Sequence, residues 1–463
     1  MASEEKRRNG WWRPVLVAGL GSLTISGAFA GNIFGSLPST ADGYSTWDSD
    51  LINIENVSQT GESVYVAVLD TGLVPHWRDY FPQSRIATHL GKGFVQPVSF
   101  KAKNDECGLG ITVGKLTETT WVGSTGSTHG THVASTILGY SYRSNFDALG
   151  GFPLPPIMVR GIAPDVTVIP VRVLADYQVP ALPKCGPGFA AQSVVFGTSE
   201  MIAAGIDYVT DLAIAGYRPM VINMSLGGSV LDDVEKEAID RAIANGVVVV
   251  ASAGNEGEAG MGYPGGYAPV ISVGSVGWTG EWLYPGAGPR YRMWWLQYPD
   301  APMLTGSGEV ADPTSVEDVY VSEFSSRELP GQQLDVLAPG SWVRGPFPGF
   351  PGFNHLPWWS NGIGDVLGRN GGNFYYVGGT SMAAPHVASL AALMLEKNPG
   401  LTQAQVESIL TSSALAIPSA DTRGVFDFDA WATITWDTDC GGTLCDAVGA
   451  GLVQADSAVA ATP

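Results

Sequence analysis

One stretch, residues 378–387, constrains the fold more than any other part of the chain. It reads GGTSMAAPHV and runs directly into the largely apolar segment 388–395. Two glycines favour a tight turn, and a helix that is apolar around most of its circumference must be buried in a core. Pro385 is compatible with such a helix because the first turn has no intrahelical use for its N–H. The sequence therefore predicts a buried helix that begins close to Ser381.

Ser381 at this helix start has two interpretations. It can simply cap the helix, as Thr380 also can. Alternatively it can act as a nucleophile, because the free N–H groups and the partial positive charge of a helix N-terminus favour an anion beside it. A serine hydroxyl reacts poorly unless a base takes its proton and an acid orients that base. The second interpretation thus requires a histidine and a carboxylate elsewhere in the chain.

Two earlier stretches supply candidates for both groups. Residues 64–72 (VYVAVLDTG) predict an apolar strand that ends in Asp70, and residues 127–134 (STHGTHVA) predict a turn that enters a helix with His129 and His132. The carboxyl ends of parallel strands are where open α/β sheets build their sites. The two histidines lie on the same side of the predicted helix, so the pattern alone leaves open which of them is the base.

These three stretches resemble the signature segments of the subtilisin-like serine proteases, the subtilases. A fourth stretch, residues 248–257 (VVVASAGNEG), resembles the segment that carries the oxyanion asparagine of that family. The resemblance covers approximately residues 53–458. It implies that His132 and His386 are structural and that the catalytic residues are Asp70, His129, Ser381 and Asn255.

The resemblance also implies a fold and a mode of substrate binding. The expected fold is three-layer α/β, with a parallel central sheet, helices on both faces and several loop insertions, and predicted strands and helices do alternate along the chain. An extended polypeptide substrate would add a strand to the protein. The residues expected to bind it are Ser225, Leu226, Gly227, Ala253, Gly254 and Gly262. A glycine at 262, on the pocket floor, leaves room for a large apolar or aromatic side chain before the cleaved bond (P1), while Glu256 at the rim weakly favours a basic one.

The N-terminal residues 1–30 have the layout of an export signal, with basic residues, an apolar stretch and Ala-Phe-Ala before Gly31. We expect a secreted, extracellular protein; an uncleaved anchor is the alternative. Residues 31–52 form a short lead that is too small to be a folded pro-domain. The catalytic domain is then expected at residues 53–463.

Four insertions are expected in that domain, near residues 83–128, 175–198, 277–320 and 341–376. The irregular stretch 75–128 is expected to decorate the surface, and residues 175–189 are expected to form a Pro/Gly loop. The aromatic residues of the last insertion precede the Ser381 motif directly, so they either border the cleft or pack as a private core.

The formal net charge of −20 disfavours nucleic-acid binding, which needs a basic surface. We expect polypeptide substrates, no stable membrane partner if the signal is removed, and a monomer. The chemistry implied by the resemblance needs no cofactor, although subtilases often bind structural calcium. Acidic positions that would serve as ligands match no defined calcium loop, and a solvated face is the alternative; they are Asp232, Asp233, Glu235, Asp427, Asp429, Asp437 and Asp439.

Four cysteines fit an oxidising compartment and allow three pairings. We predict Cys107 with Cys185 and Cys440 with Cys445, the alternative being buried free thiols. The rival to a secreted endopeptidase is a catalytically silent relative that uses its groove for binding. The presence of all four catalytic residue types argues against the rival.

Overall fold

The computed structural model describes most of the chain after residue 38. The described residues are 39–43, 45–103, 108–124, 127–142, 157–182, 190–280, 316–348, 374–427 and 430–463. The predicted signal lies outside them, as do residues 31–38 and 44 of the short lead. In the part of the chain that is described, no helix is both long enough and apolar enough to cross a membrane.

Seven α-helices are found within the described ranges. They are α1 Trp47–Asp50, α2 Thr128–Leu138, α3 Ser199–Ile214, α4 Asp233–Ala244, α5 Thr380–Lys397, α6 Gln403–Ser413 and α7 Ala455–Ala461. The strands are β1 Tyr65–Asp70, β2 Lys92–Val95, β3 Val98–Ala102, β4 Leu109–Val113, β5 Thr117–Thr119, β6 Gly139–Tyr142, β7 Ile157–Arg160, β8 Thr167–Arg172, β9 Ala175–Val179, β10 Gln192–Phe196, β11 Met220–Met224, β12 Val247–Ser252, β13 Ile271–Trp278, β14 Val319–Val321, β15 Val336–Pro339, β16 Val343–Pro346, β17 Phe374–Val377, β18 Asp421–Asp427 and β19 Ala430–Trp436.

The central sheet is mostly parallel, as predicted. Its strand order is β14-β13-β12-β11-β1-β8-β2-β5, with β15 also paired to β13. The pairings of β1 with β11 and with β8 are parallel, whereas β14 and β5 are antiparallel strands at the two edges. Asp70 therefore ends a strand in the middle of the sheet, where the carboxyl ends of neighbouring strands meet.

Both faces of the sheet are covered, because alternate residues of each strand point to opposite sides. In β1, Val66 and Val68 join one core cluster while Ala67 and Leu69 join the other. The first cluster contains apolar residues of α2 and α5, and the second contains those of α3 and α4. This arrangement confirms the predicted three layers.

The prediction that residues 75–128 only decorate the surface was wrong. Trp77 and Phe81 are completely buried in the first core cluster. Strand β2 pairs with β8 and thereby extends the central sheet, and β5 follows it. Only the β3–β4 hairpin, with Ile111 61% exposed, fits the prediction.

Residues 175–189 were predicted to be a Pro/Gly loop, and the first part of that prediction was also wrong. Strand β9 begins at Ala175 and pairs antiparallel with β10, so this insertion is a hairpin, at least where it is described. Tyr177 at its base donates its hydroxyl to Gln96 O and stacks on Phe196 with ring centroids 4.3 Å apart. An aromatic contact of this kind orders the base of the hairpin.

The other two predicted insertions begin and end in strands. Strands β13 and β14 flank one of them, and the antiparallel pair β16–β17 flanks the other. Phe347 is buried against His132, whereas Phe350, Phe353, Trp358 and Trp359 lie outside the described residues. The position of those four aromatic side chains therefore stays a prediction.

The two predicted cysteine pairs have different outcomes. Cys440 and Cys445 are joined as predicted, with their Cα atoms 5.8 Å apart. Cys107 and Cys185 lie outside the described residues, so their pairing stays a prediction.

Candidate active site

Asp70 and His129 form a hydrogen-bonded pair at the carboxyl edge of the central sheet. Both carboxylate oxygens of Asp70 lie 2.9 Å from His129 Nδ1. The carboxylate is fully buried, whereas the imidazole is 30% exposed. Asp70 Oδ1 also accepts the N–H of Thr71, at 2.7 Å. The carboxylate is thus aimed at the ring, and the far side of the ring reaches solvent.

Local bonds between the loop after β1 and the start of α2 bring these two residues together. Ser127 Oγ donates to Thr71 O at 2.7 Å, and Gly130 N donates to Thr71 Oγ1 at 3.0 Å. A Cβ at Gly130 would lie 2.5 Å from Gly72 O and 3.0 Å from Asp70 Oδ1. Only glycine lets the helix approach the loop so closely, which explains the Thr-His-Gly sequence.

Two opposing effects set the proton affinity of His129. Burial by itself would lower the pKa of the imidazole, but the charge of Asp70 and its hydrogen bond together outweigh burial. The pKa of His129 is therefore raised above its ordinary value. The ring takes up a proton readily, as a general base must.

Ser381 lies in the first turn of α5, as predicted, but Gly379 rather than a side chain caps the helix. The expectation that Pro385 lies in the first turn was wrong: it is the sixth residue of α5. Because Pro385 has no N–H, the Ser381 carbonyl lacks the partner that a helix normally supplies four residues later. Ser225 Oγ replaces that partner and donates to Ser381 O at 2.7 Å. Asn223 Nδ2 in turn donates to Ser225 Oγ at 3.0 Å.

The same two serines place the nucleophile candidate next to the acid. Val68 of β1 is level with Asn223 of β11, so Ser225, two residues on, lies level with Asp70. Ser381 Oγ donates to Ser225 O at 3.2 Å. Among the described residues, no hydrogen bond joins Ser381 Oγ to His129. Asp70, His129 and Ser381 therefore meet at one edge of the sheet, with the serine hydroxyl turned toward the Ser225 backbone.

Asn255 is held in place by its amide oxygen. Its Oδ1 accepts the N–H of Thr380 at 2.9 Å and the hydroxyl of Thr380 at 3.0 Å. A Cβ at Gly379 would lie 3.8 Å from Asn255 Nδ2 and 3.7 Å from Ser381 N. Two N–H donors thus flank the same space beside Gly379, an arrangement suited to an oxyanion.

A cavity of about 520 Å³ opens beside these donors. Its lining includes Ser381 and Asn255. Leu226 and Gly227 line it on one side and Gly262 on another. Gly228 and Tyr263 exchange backbone hydrogen bonds of 2.8 and 2.7 Å, which join the two sides. Its volume lies within the range usual for ligand-binding pockets in proteins.

Two of the predicted substrate-binding residues do not line this cavity. Ala253 is completely buried, and its backbone bonds to Val273 and Gly262. Ser225 is not among the residues that line the cavity. Its hydroxyl donates to Ser381 O, and its carbonyl accepts from Ser381 Oγ. Gly254 does line the cavity, with a φ of +109° that favours glycine.

Sequence reasoning missed several residues that shape the site. Thr380 orients Asn255, and Asn223 supports Ser225. Gln332 lines the cavity and accepts the N–H of Met261 at 2.8 Å while donating to Met261 O at 2.7 Å. Thr380 lies within the quoted Ser381 motif, so proximity in sequence was a usable signal. For Gln332, which is 77 residues after Asn255 and 70 after Gly262, the sequence offers no such signal.

Glu256 has a second role besides lining the cavity. Its Oε2 accepts the N–H of Asn255 at 2.7 Å and the hydroxyl of Ser326 at 3.1 Å. The carboxylate therefore fixes the loop that carries Asn255. Its predicted attraction for a basic P1 residue stays a prediction.

The remaining histidines of the motifs are structural in their contacts. His132 is buried, with Nε2 3.0 Å from Val343 O. His386 is buried between Met382 O and Asp48. These contacts agree with the assignment of His129 as the base.

The residues proposed for calcium do not converge. Asp232 Oδ1 caps α4 by accepting the N–H of Val234 at 3.1 Å. Within the described ranges, no group of three or more His, Cys, Asp or Glu residues is placed to hold a metal ion. Asp429 lies outside those ranges. The observed geometry therefore gives no support for a calcium site at the described candidates.

The chain is similar to known proteases over most of its length. The model of the subtilase family matches residues 61–441. Subtilisin NAT from Bacillus subtilis subsp. natto is 31% identical over 293 residues, which are 62% of this chain and 51% of that protein. Fervidolysin from Fervidobacterium pennivorans is 30% identical over 342 residues, which are 73% of this chain and 35% of that protein.

The crystal structure of fervidolysin, a keratinolytic enzyme related to subtilisin, is also similar in fold. It matches with a TM-score of 0.50 and 25% identity, over 90% of this chain and 46% of that one. This chain spans about half the length of the first curated relatives that it matches. Since the family model covers well over half of the sequence, the chain belongs to the subtilase family.

Proposed function

We propose that the protein is a serine endopeptidase that hydrolyses peptide bonds through an acyl-enzyme intermediate. One observation carries the proposal: buried Asp70, its partner His129 and Ser381 meet at one edge of the sheet, beside a cavity that Asn255 lines. Acid, base, nucleophile and oxyanion donor are the four parts that the reaction requires.

In the first step His129 Nε2 takes the proton of Ser381 while Oγ attacks the peptide carbonyl carbon. The hydroxyl must first turn from Ser225 O toward His129, and catalytic hydrogen bonds commonly form only with substrate present. Asp70 keeps the Nδ1 proton in place and stabilises the imidazolium that forms. The carbonyl oxygen becomes an oxyanion and accepts hydrogen bonds from Asn255 Nδ2 and Ser381 N.

The tetrahedral intermediate then collapses. The C–N bond breaks, and His129 gives its proton to the leaving amine, so that an ester to Ser381 Oγ remains. A water molecule, deprotonated by His129, attacks this ester and releases the acid product. The Ser381 hydroxyl regains its proton and the enzyme returns to its starting state.

We further propose a preference for large apolar or aromatic P1 residues. The cavity volume of about 520 Å³ and the absence of a side chain at Gly262 support it. A Cβ at Gly262 would lie 3.4 Å from Gly228 O. A larger residue at position 262 is therefore compatible with the neighbouring backbone, but its side chain would take up part of the cavity. A peptide library should show cleavage after Phe, Tyr or Leu, and Gly262→Val should shift the preference to Ala. Cleavage only after small residues by the wild type would reject this preference.

Secretion and a monomeric state belong to the same proposal. The layout of residues 1–30 supports export. N-terminal sequencing of protein recovered from the culture medium should begin near residue 31, and light scattering should give a mass close to one chain. The chemistry derived above uses only protein groups, so we expect short assays to be insensitive to a chelator. Recovery of the protein in the membrane fraction with residues 1–30 still attached would favour the uncleaved anchor.

The activity itself is tested with a denatured protein substrate. Wild-type protein should convert denatured casein to peptides, and Ser381→Ala should not, while both show the same circular dichroism spectrum. Full peptidase activity in Ser381→Ala would end the proposal. A folded wild type without peptidase activity would favour the silent-relative alternative.

A further inference from the structure

The segment that precedes β1 is bonded to the helix of Ser381 at two places. We call residues 45–61 the N-terminal strap. Near the C-terminal end of α5, Glu396 Oε2 accepts the N–H groups of Thr60 and Gly61, at 2.9 and 2.6 Å. Nearer its start, His386 Nε2 lies 3.2 Å from Asp48 Oδ2. The Asp48 attachment is thus the one close to the proposed nucleophile.

The Asp48–His386 pair is shielded from water. The His386 side chain has no exposed surface, and that of Asp48 is 8% exposed. In the part of the chain that the structure describes, Asp48 Oδ1 has no hydrogen-bond partner. A buried carboxylate is strongly destabilising unless it is paired, so His386 is the group that offsets its burial.

The partners of His386 fix where its protons are. Nδ1 lies 2.8 Å from Met382 O, and a peptide carbonyl can only accept, so Nδ1 carries a proton. Nε2 lies 3.2 Å from Asp48 Oδ2, within hydrogen-bonding distance. Asp48 therefore holds the ring in the orientation in which Nδ1 donates to Met382.

Met382 directly follows Ser381 in the chain. The Ser381 carbonyl is fixed by Ser225 Oγ, and the Met382 carbonyl is fixed by the His386 ring. The carbonyls of the two peptide groups that follow Ser381 are therefore each contacted by a side chain. A displacement of about 1 Å at such a site can lower a rate by about 10²-fold.

We propose that Asp48 is a positioning residue for Ser381. Acting through His386, the carboxylate of the N-terminal strap holds the turn of α5 that carries the nucleophile and one oxyanion donor. This inference rests on the proposed function, because it assigns a catalytic consequence to a contact that never touches substrate.

The test compares the two ends of the strap. Asp48→Ala and Asp48→Ser remove the carboxylate, and Glu396→Ala is the matched control on the same helix, because it removes a carboxylate that bonds the same strap. Each variant is assayed for kcat and KM with a peptide p-nitroanilide, for the rate constant of labelling by a fluorophosphonate, and for Tm.

We expect the Asp48 variants to lose about tenfold in kcat and in labelling rate, with KM changed less than about twofold. Glu396→Ala should lower Tm but leave kcat and labelling within about twofold, because its contact is remote from the nucleophile. Asp48→Asn should recover activity to within about threefold of wild type, because its amide can donate to Nε2 of a neutral His386.

The inference is overturned if the Asp48 variants and Glu396→Ala change kcat and labelling equally. It is also overturned if both Asp48→Ala and Asp48→Ser fail to fold, because the pair then serves the fold rather than the nucleophile. A folded wild type that takes no label at Ser381 removes the proposed function and this inference with it. If the wild type is labelled at Ser381 but the Asp48 variants and Glu396→Ala show equal changes in kcat and labelling rate, this inference alone is removed.

Discussion

The base and the nucleophile of this site are held in place by different forces. His129 is fixed by charge, since its Nδ1 contacts both oxygens of the buried Asp70 carboxylate at 2.9 Å. The contacts that Ser381 and its neighbour Thr380 make themselves are neutral hydrogen bonds, from Ser225 Oγ to the Ser381 carbonyl and from the Thr380 N–H to Asn255 Oδ1. A charged contact determines the protonation state of its partner, whereas a neutral one determines only position.

This difference predicts how each half responds to change. Perturbing the Asp70 half should alter both the rate and its dependence on pH, because the pKa of His129 depends on the nearby charge. Perturbing the Ser381 half should alter the rate or the stability while leaving the pH dependence unchanged.

The largest effect is expected on the charged half. Asp70→Asn should lower kcat about 10⁴-fold, because the amide permits the wrong imidazole tautomer and lacks the charge that stabilises the imidazolium. Steady-state assays with a peptide p-nitroanilide measure the loss. Asp207→Asn, which breaks an exposed ion pair with Arg241, is the matched control and should retain full activity. A loss of kcat below about tenfold in Asp70→Asn would contradict the claim that the charge of Asp70 holds and activates His129.

On the neutral half, Asn255→Ala should lower kcat about 10²–10³-fold, corresponding to about 2.7–4 kcal/mol, a size taken from subtilisin itself. The reason is the loss of one oxyanion donor. The pH dependence of kcat/KM should stay that of the wild type, since the Asp70–His129 pair is intact. A shifted pH profile in this variant would contradict the separation of the two halves.

A smaller effect, on stability, is expected from Ser225→Ala. With Pro385 in the helix, the Ser381 carbonyl would lose its donor, and a buried unsatisfied carbonyl costs about 1–3 kcal/mol of unfolding free energy. Urea titration measures the change. Ser389→Ala is the matched control on α5, because Ser389 Oγ bonds to a carbonyl, that of Pro385, to which the helix also supplies an N–H. Equal losses in the two variants would reject the account of Pro385.

The smallest effect is a shift of the pH midpoint. Activity requires neutral His129, so kcat/KM should fall as pH decreases through a pKa that Asp70 raises above the ordinary value. In Asp70→Asn, residual activity should persist to lower pH, because burial lowers the pKa of His129 once the charge of Asp70 is gone. The contribution of His129 to folding stability changes with pH in the opposite direction to the activity. It is fully present below the unfolded-state pKa of histidine and is lost as pH rises through the folded-state pKa. If the pH midpoint of kcat/KM were the same in the wild type and in Asp70→Asn, the charge of Asp70 would not govern the pKa of His129.

The layers of the fold were predictable because they follow from patterns within short segments. The alternation in residues 66–69 places neighbouring side chains in opposite core clusters, and the apolar run after Ser381 requires a buried helix. Strand β2 was not predictable in the same way. Its sequence KGFV has no clear alternation, and its pairing with β8 is decided by tertiary context.

The residues of the candidate site also differ in whether a local sequence pattern or a tertiary contact defines their role. Asp70, His129, Ser381 and Asn255 were found because each lies in a distinctive local motif. Gln332 and Asp48 were not found, because their roles depend on contacts with Met261 and His386 that no local pattern encodes. Ala253 was assigned to substrate binding through its neighbours in the motif, yet its side chain belongs to the core.

The account rests on Ser381 being a nucleophile that the Asp70–His129 pair activates. Labelling with a fluorophosphonate and peptide mapping by mass spectrometry test this most directly. We predict one label per chain on Ser381, at least about 10²-fold slower labelling in His129→Ala, and no label in Ser381→Ala. A label on another residue, or labelling of Ser381 at an unchanged rate without His129, would contradict the account.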